Sequence, residues 1–126
     1  MKQVTLKIKN EKGELNRICE TLGKKGINII TMLGGGVDNK GFVHLITEDE
    51  RSAVKAFELE GYSPETSEVL TVKIQDKPGE LAKITRKFAH YGVNVNWVYL
   101  ITRERGEVTL GFQVDDLKKA KEVIEK

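Results

Sequence analysis

Leu6-Lys7-Ile8-Lys9-Asn10-Glu11-Lys12-Gly13-Glu14-Leu15 and Val72-Lys73-Ile74-Gln75-Asp76-Lys77-Pro78-Gly79-Glu80-Leu81 follow one pattern. In each, apolar and polar residues first alternate, which is the period of a half-buried strand. The alternation breaks at Gly13 or at Pro78-Gly79. Apolar residues then recur at helical spacing: Leu15, Ile18 and Leu22 in the first stretch, Leu81, Ile84 and Phe88 in the second. Gly26 and Gly92 stop these helices, as glycine does just past a C-terminus. Pro78 suits the opposite end, where the first helical turn tolerates a missing N–H.

Outward from these stretches, Val4–Leu33 aligns with Leu70–Tyr99 without a gap. Thr5/Thr71, Lys7/Lys73, Ile8/Ile74, Gly13/Gly79, Glu14/Glu80, Leu15/Leu81, Ile18/Ile84, Gly26/Gly92 and Asn28/Asn94 are identical pairs. By length alone, 126 residues suit one ordinary domain or two very small ones. The repeat decides for two, over residues 1–67 and 68–126.

After each helix the sequence predicts a second strand, Ile27–Leu33 and Val93–Ile101. Glycine-bearing turns follow, Asp38-Asn39-Lys40-Gly41 and Arg103-Glu104-Arg105-Gly106, and then third strands, Phe42–Thr47 and Glu107–Val114. Further helices are expected near Glu50–Glu60 and Asp115–Glu125. Gly61-Tyr62-Ser63-Pro64 breaks the second helix of the first copy and Glu65–Glu68 leads straight into Leu70, and the second copy is expected to lack the final strand of a full unit. The expected fold class is therefore α+β: two ferredoxin-like βαββα(β) units with antiparallel sheets and helices on one face. The second strands are apolar on both alternations, so a part of the helix-free face or edge should be covered by the other copy or a second chain.

Composition narrows the function. Lys+Arg 21 against Asp+Glu 19, scattered together, leave a net charge of +2 and no basic stripe, which argues against a nucleic-acid binder. No apolar run is long enough to cross a bilayer, and charge interrupts the N-terminus at once, so neither a membrane span nor a signal peptide is expected. The single cysteine, Cys19, forbids an internal disulfide and suits a reducing, cytoplasmic setting.

The loop Asp76-Lys77-Pro78-Gly79-Glu80-Leu81, followed after its helix by Gly92-Val93-Asn94-Val95, closely resembles the signature of the ACT domain, a regulatory module of amino-acid metabolism. The first copy keeps Asn10-Glu11-Lys12-Gly13-Glu14-Leu15 and Gly26-Ile27-Asn28-Ile29, with Lys12 in place of proline. The whole chain thus looks like a stand-alone tandem ACT protein. The resemblance implies a non-catalytic regulator that binds a small molecule, an amino acid foremost, at an interface between ACT units. It also implies a homodimer and a regulated enzyme or regulator in trans. Carried over position by position, the implied ligand-binding residues are Asn10, Gly13, Glu14, Leu15 and Asn28 in the first copy. In the second they are Asp76, Gly79, Glu80, Leu81 and Asn94.

The residues themselves make this reasonable and also leave plainer roles open. Free N–H groups at a helix N-terminus favour a carboxylate, and glycine lets it approach the main chain. Yet Asn10 and Asp76 equally fit helix caps, Gly13 and Gly79 conformational devices, and Asn28 and Asn94 turn residues. Gly34-Gly35-Gly36 lacks the Gly-Lys-Ser/Thr of a phosphate loop and reads as a bulge or flexible hairpin, close ligand approach remaining open. Cys19 reads as core, and Trp97 and Tyr99 as packing residues. No metal-ligand spacing, cofactor motif or acid–base pair stands out, so no enzyme is expected. Two rivals remain. Lys40-Gly41-Phe42-Val43-His44-Leu45 echoes an RNA-recognition motif on the same strand, and a purely structural interaction module is the other.

Overall fold

The computed structural model describes residues 1–126. The first half runs β1 (Lys2–Lys9), α1 (Glu14–Lys24), β2 (Ile29–Val37), β3 (Lys40–Thr47), α2 (Glu50–Leu59) and β4 (Glu65–Glu68). The second runs β5 (Leu70–Gln75), α3 (Glu80–His90), β6 (Val95–Glu104), β7 (Glu107–Val114) and α4 (Leu117–Ile124). Cα proximity divides the chain into two compact units, Lys2–Ser67 and Glu68–Lys126, Met1 joining the second. No helix is long and apolar enough to cross a membrane.

In the first unit the sheet order is β2-β3-β1-β4, with β1 and β2 both antiparallel to β3. Alternation sends Val4 and Leu6 of β1, and Val43 and Leu45 of β3, to one face of this sheet. Ile18 and Leu22 of α1 and Ala53 and Phe57 of α2 close over that face as a single buried cluster. The Asp49 side chain caps α2 by accepting from the Ser52 N–H at 3.1 Å, which fixes where the helix leaves β3.

The second unit repeats this plan with a three-stranded sheet, β5-β7-β6, in which no strand takes the place that β4 holds in the first. Leu70, Val72, Leu110, Phe112 and Val114 meet Phe88 of α3 and Ala120 and Val123 of α4. Phe88 and Phe112 pack edge to face with centroids 5.3 Å apart. The α+β, tandem ferredoxin-like class expected from the repeat is the observed one.

Four local expectations are corrected. β2 and β6 begin two residues later than the apolar run suggests, because the Ile27 and Val93 N–H groups first close the preceding helices onto Leu22 O and Phe88 O. Gly34-Gly35-Gly36 is not a bulge: it lies in the β2 arm of the β2–β3 hairpin and pairs in regular register with Val43, Phe42 and Gly41, and the irregularity falls at Ile29/Thr31. Pro78 stands ahead of α3, with Gly79 as its N-cap. Cys19 is only half-buried and lies outside the core cluster, since Ile18, Thr21 and Leu22 fill the inward face of α1.

The helix-free face of the first sheet carries a polar network. His44 Nδ1 lies 2.9 Å from Thr5 Oγ1 and 3.1 Å from Gln3 Nε2, which also donates to Thr5 Oγ1 at 3.0 Å. Burial holds the His44 imidazole below its ordinary value of 6.5. A depressed histidine pKa means that the unfolded chain takes up the proton first, so stability present above pH 6.5 declines as pH falls. Urea unfolding should therefore show a midpoint that drops between about pH 7.5 and 5.5. In His44→Gln that slope should flatten; an unchanged slope would exclude His44 as its source.

Candidate functional site

Both loop–helix junctions are built on a left-handed glycine. Gly13 and Gly79, with φ of 85° and 87°, are the N-caps of α1 and α3, and neither helix has a side-chain cap. A side chain at this φ would be strained, and glycine also leaves no oxygen to satisfy the helix's leading N–H groups. In α1 the Glu14 N–H reaches Glu11 O at 3.3 Å and the Arg17 N–H reaches Gly13 O at 3.0 Å. The N–H groups of Leu15 and Asn16 find no backbone acceptor outside the helix's own ladder and no side-chain cap. They are open to an acceptor, and the helix dipole at this end favours negative charge.

Asn10 is fixed beside that helix end. Its backbone N–H donates to Asn39 O at 3.0 Å and its Nδ2 to Asp38 O at 2.9 Å. The amide lies flat on Gly36, where a Cβ would sit 2.5 Å from Asn10 Cγ. Asn10 therefore shapes the loop and does not cap α1.

Between this loop and β2 lies a cleft of about 420 Å3. Lys9, Asn10, Glu11 and Glu14 form its polar end. Ile8, Leu15, Met32 and Val43 form its apolar wall, and Gly34–Gly36 contribute only main chain along one side. Leu15 at the rim is 51% exposed, an apolar side chain left partly uncovered beside an apolar wall. Glu14 is held in place from α2's far end: the Tyr62 hydroxyl donates to Glu14 Oε1 at 2.9 Å. Arg17 lies over the Tyr62 ring at 4.7 Å and donates to Glu60 O at 2.7 Å. Burial, reinforced by the bond to Glu14, pushes the Tyr62 phenol up to about 12, so it stays a donor at neutral pH.

The corresponding region of the second unit is arranged differently. Asp76, the counterpart of Asn10, is engaged by Arg103, Nε to Oδ2 at 2.8 Å. Glu80 accepts from Lys83 at 3.0 Å, and Leu81 is 40% exposed. Where the first unit has Gly34-Gly35-Gly36, the second has Leu100-Ile101-Thr102. Leu100 pairs with Leu110 as Gly34 pairs with Val43, so both positions project to the helix-covered face. A leucine side chain thus stands where the first unit has none.

Asn28 and Asn94 lie elsewhere in their units. Each follows the C-terminus of an 11-residue helix whose N-terminus carries the loop, a separation of about 16 Å at 1.5 Å per residue. Asn28 Nδ2 donates to Glu48 Oε1 at 3.3 Å, and the residue borders a second cleft with Gly26, Asp49 and Ser52. The Asn94 N–H donates to Asp115 Oδ1 at 2.9 Å, and its Nδ2 to Asn96 Oδ1 at 3.2 Å. Within one unit, then, the structure brings together Asn10, Glu14 and Leu15 around the helix that Gly13 caps, and sets Asn28 apart. Sequence reasoning passed over Met32 and Tyr62 and gave little weight to the glycine run. The available signal was that Gly34–Gly36 is where the two copies cease to match.

The sequence profile of the ACT domain pair matches residues 1–126. A protein of Bacteroides thetaiotaomicron superposes with a TM-score of 0.91 at 22% identity, over 98% of this chain and 85% of that one. The regulatory subunit of aspartate kinase from Thermus thermophilus, in a ligand-free form, superposes at 0.72 with 15% identity, over 98% and 89%. Its counterpart from Thermus flavus gives 0.67 at 16% identity, over 98% and 90%. No curated protein sequence matches the chain. At these identities the structural likeness speaks for the fold, and the profile match over the full length speaks for the family: the chain belongs to the ACT domain pairs.

Proposed function

We propose that this protein is a metabolite sensor that binds a free amino acid and passes that information to a separate enzyme or regulator. The observation that carries the reading is the cleft at the head of α1. It joins uncapped helix N–H groups, the Asn10 amide and the Glu11 carboxylate to an apolar wall. An α-amino acid matches each part: its carboxylate the N–H group of Leu15 at the helix end, its ammonium Glu11 and Asn10 Oδ1. At about 420 Å3 the space falls within the range of ordinary small-molecule sites. On this reading the chain has no catalytic activity of its own.

A thermal-shift screen of the common amino acids tests the proposal. A ligand at 100 times its dissociation constant stabilises the folded chain by about 2.7 kcal/mol, or roughly 5–10 °C in midpoint for a chain of this size. If none of them moves the midpoint, the sensor reading is wrong. A second copy of the chain, closing the cleft over the exposed Leu15, completes the proposed site. Sedimentation should then show a dimer that the amino acid strengthens; a monomer unaffected by ligand would remove the second copy from the account.

A further inference from the structure

The two units are not equivalent as receptors, and the difference lies in one stretch of the second strand. We infer that the first unit alone is built to take the ligand, and that the ligand is an amino acid with an apolar side chain. This rests on the amino-acid-binding reading above and adds to it the copy and the chemical class.

Gly34 is the first point of difference. Its position faces the helices, opposite Val43, and a Cβ there would meet only Val43 Cγ2 at 3.8 Å and Phe42 O at 3.9 Å. These are ordinary contacts, so neither backbone angle nor crowding demands glycine. What glycine does at 34 is leave the cleft empty. Leu100 occupies the matching register position in the second unit, and Arg103 engages the carboxylate of Asp76 at 2.8 Å. The second unit thus carries a leucine side chain, 43% exposed, on the face where the first unit has none, and its counterpart of Asn10 is held in an ion pair.

The class of ligand follows from the wall. Ile8, Met32 and Val43 project from three neighbouring strands onto the helix-facing side, and Leu15 closes the rim. The charged lining groups Lys9, Glu11 and Glu14 belong to the end of β1, the loop and the first helical turn, and Glu14 is already bonded to Tyr62. A ligand anchored there by its ammonium and carboxylate directs its side chain at the apolar wall. A hydroxyl or charge on that side chain would be desolvated without a partner.

Isothermal titration of the full chain with leucine, phenylalanine, serine, aspartate and lysine decides the matter. The expected result is one equivalent per chain, with leucine or phenylalanine bound at least tenfold more tightly than the polar three. Gly34→Leu should fold normally by circular dichroism and lose at least 100-fold in affinity. Leu15→Ser, a change at an exposed position, should weaken apolar ligands by about tenfold and guards against misfolding of the first variant. Two equivalents per chain, preference for a polar ligand, or undiminished binding by Gly34→Leu would each overturn the inference while leaving amino-acid binding intact. Failure of every amino acid to bind the unaltered chain would instead overturn the reading on which it rests.

Discussion

Gly36→Val is expected to weaken amino-acid binding by about 100-fold, or about 2.7 kcal/mol, with only a modest change in stability. The position lies in extended backbone that valine adopts readily, so the fold itself has no reason to object. The conflict is with Asn10: a Cβ at 36 would fall 2.5 Å from Asn10 Cγ and 2.6 Å from its Oδ1. The amide must swing away, losing its 2.9 Å bond to Asp38 O, for about 1 kcal/mol. The new isopropyl group then occupies the cleft where the amide and the ligand met. Titration calorimetry on the folded variant checks this, and affinity within threefold of the unaltered chain would show that Asn10 has no part in binding.

Phe57→Ala should cost about 3–5 kcal/mol of stability, the usual loss for emptying a buried aromatic site. Phe57 is completely buried between α2 and the first sheet, and Tyr62 packs edge-on against it with centroids 5.8 Å apart. The effect should reach the cleft, because Tyr62 needs that ring to hold its hydroxyl on Glu14. Phe112→Ala, in the core of the second unit, should be similarly costly yet leave the affinity of the folded protein unchanged. Urea denaturation and titration at low temperature separate the two quantities. A loss under about 1 kcal/mol for Phe57→Ala would mean that the first core is packed differently.

Most of the architecture was legible because the chain states it twice. Ile8 and Ile74, Ile18 and Ile84, Gly13 and Gly79 keep their places, so a pattern ambiguous in one copy is settled by the other. The limits of β2 and β6 were less legible, since Ile27 and Val93 are as apolar as a strand but close helix ends by backbone hydrogen bonds. The loops of the candidate site were readable from Asn10-Glu11-Lys12-Gly13-Glu14-Leu15. The shape of the cleft was not, for two physical reasons. Tyr62 reaches Glu14 across 48 positions, a contact that no local pattern announces. Gly34–Gly36 act by having no side chains, and a glycine run in a regular ladder looks in sequence like a bulge.

Everything proposed above depends on an amino acid binding at the head of α1 in the first unit. Amide-resolved NMR titration of the 14.2 kDa chain with leucine or phenylalanine tests it most directly. Resonances of Gly13, Leu15, Asn16 and Gly34–Gly36 should shift in saturable fashion, with the Asn10 side-chain amide among them. Those of Asp76, Gly79, Leu81 and Leu100–Thr102 should stay in place. Saturable shifts confined to the second unit, or none in the glycine run when binding is otherwise evident, would contradict the account.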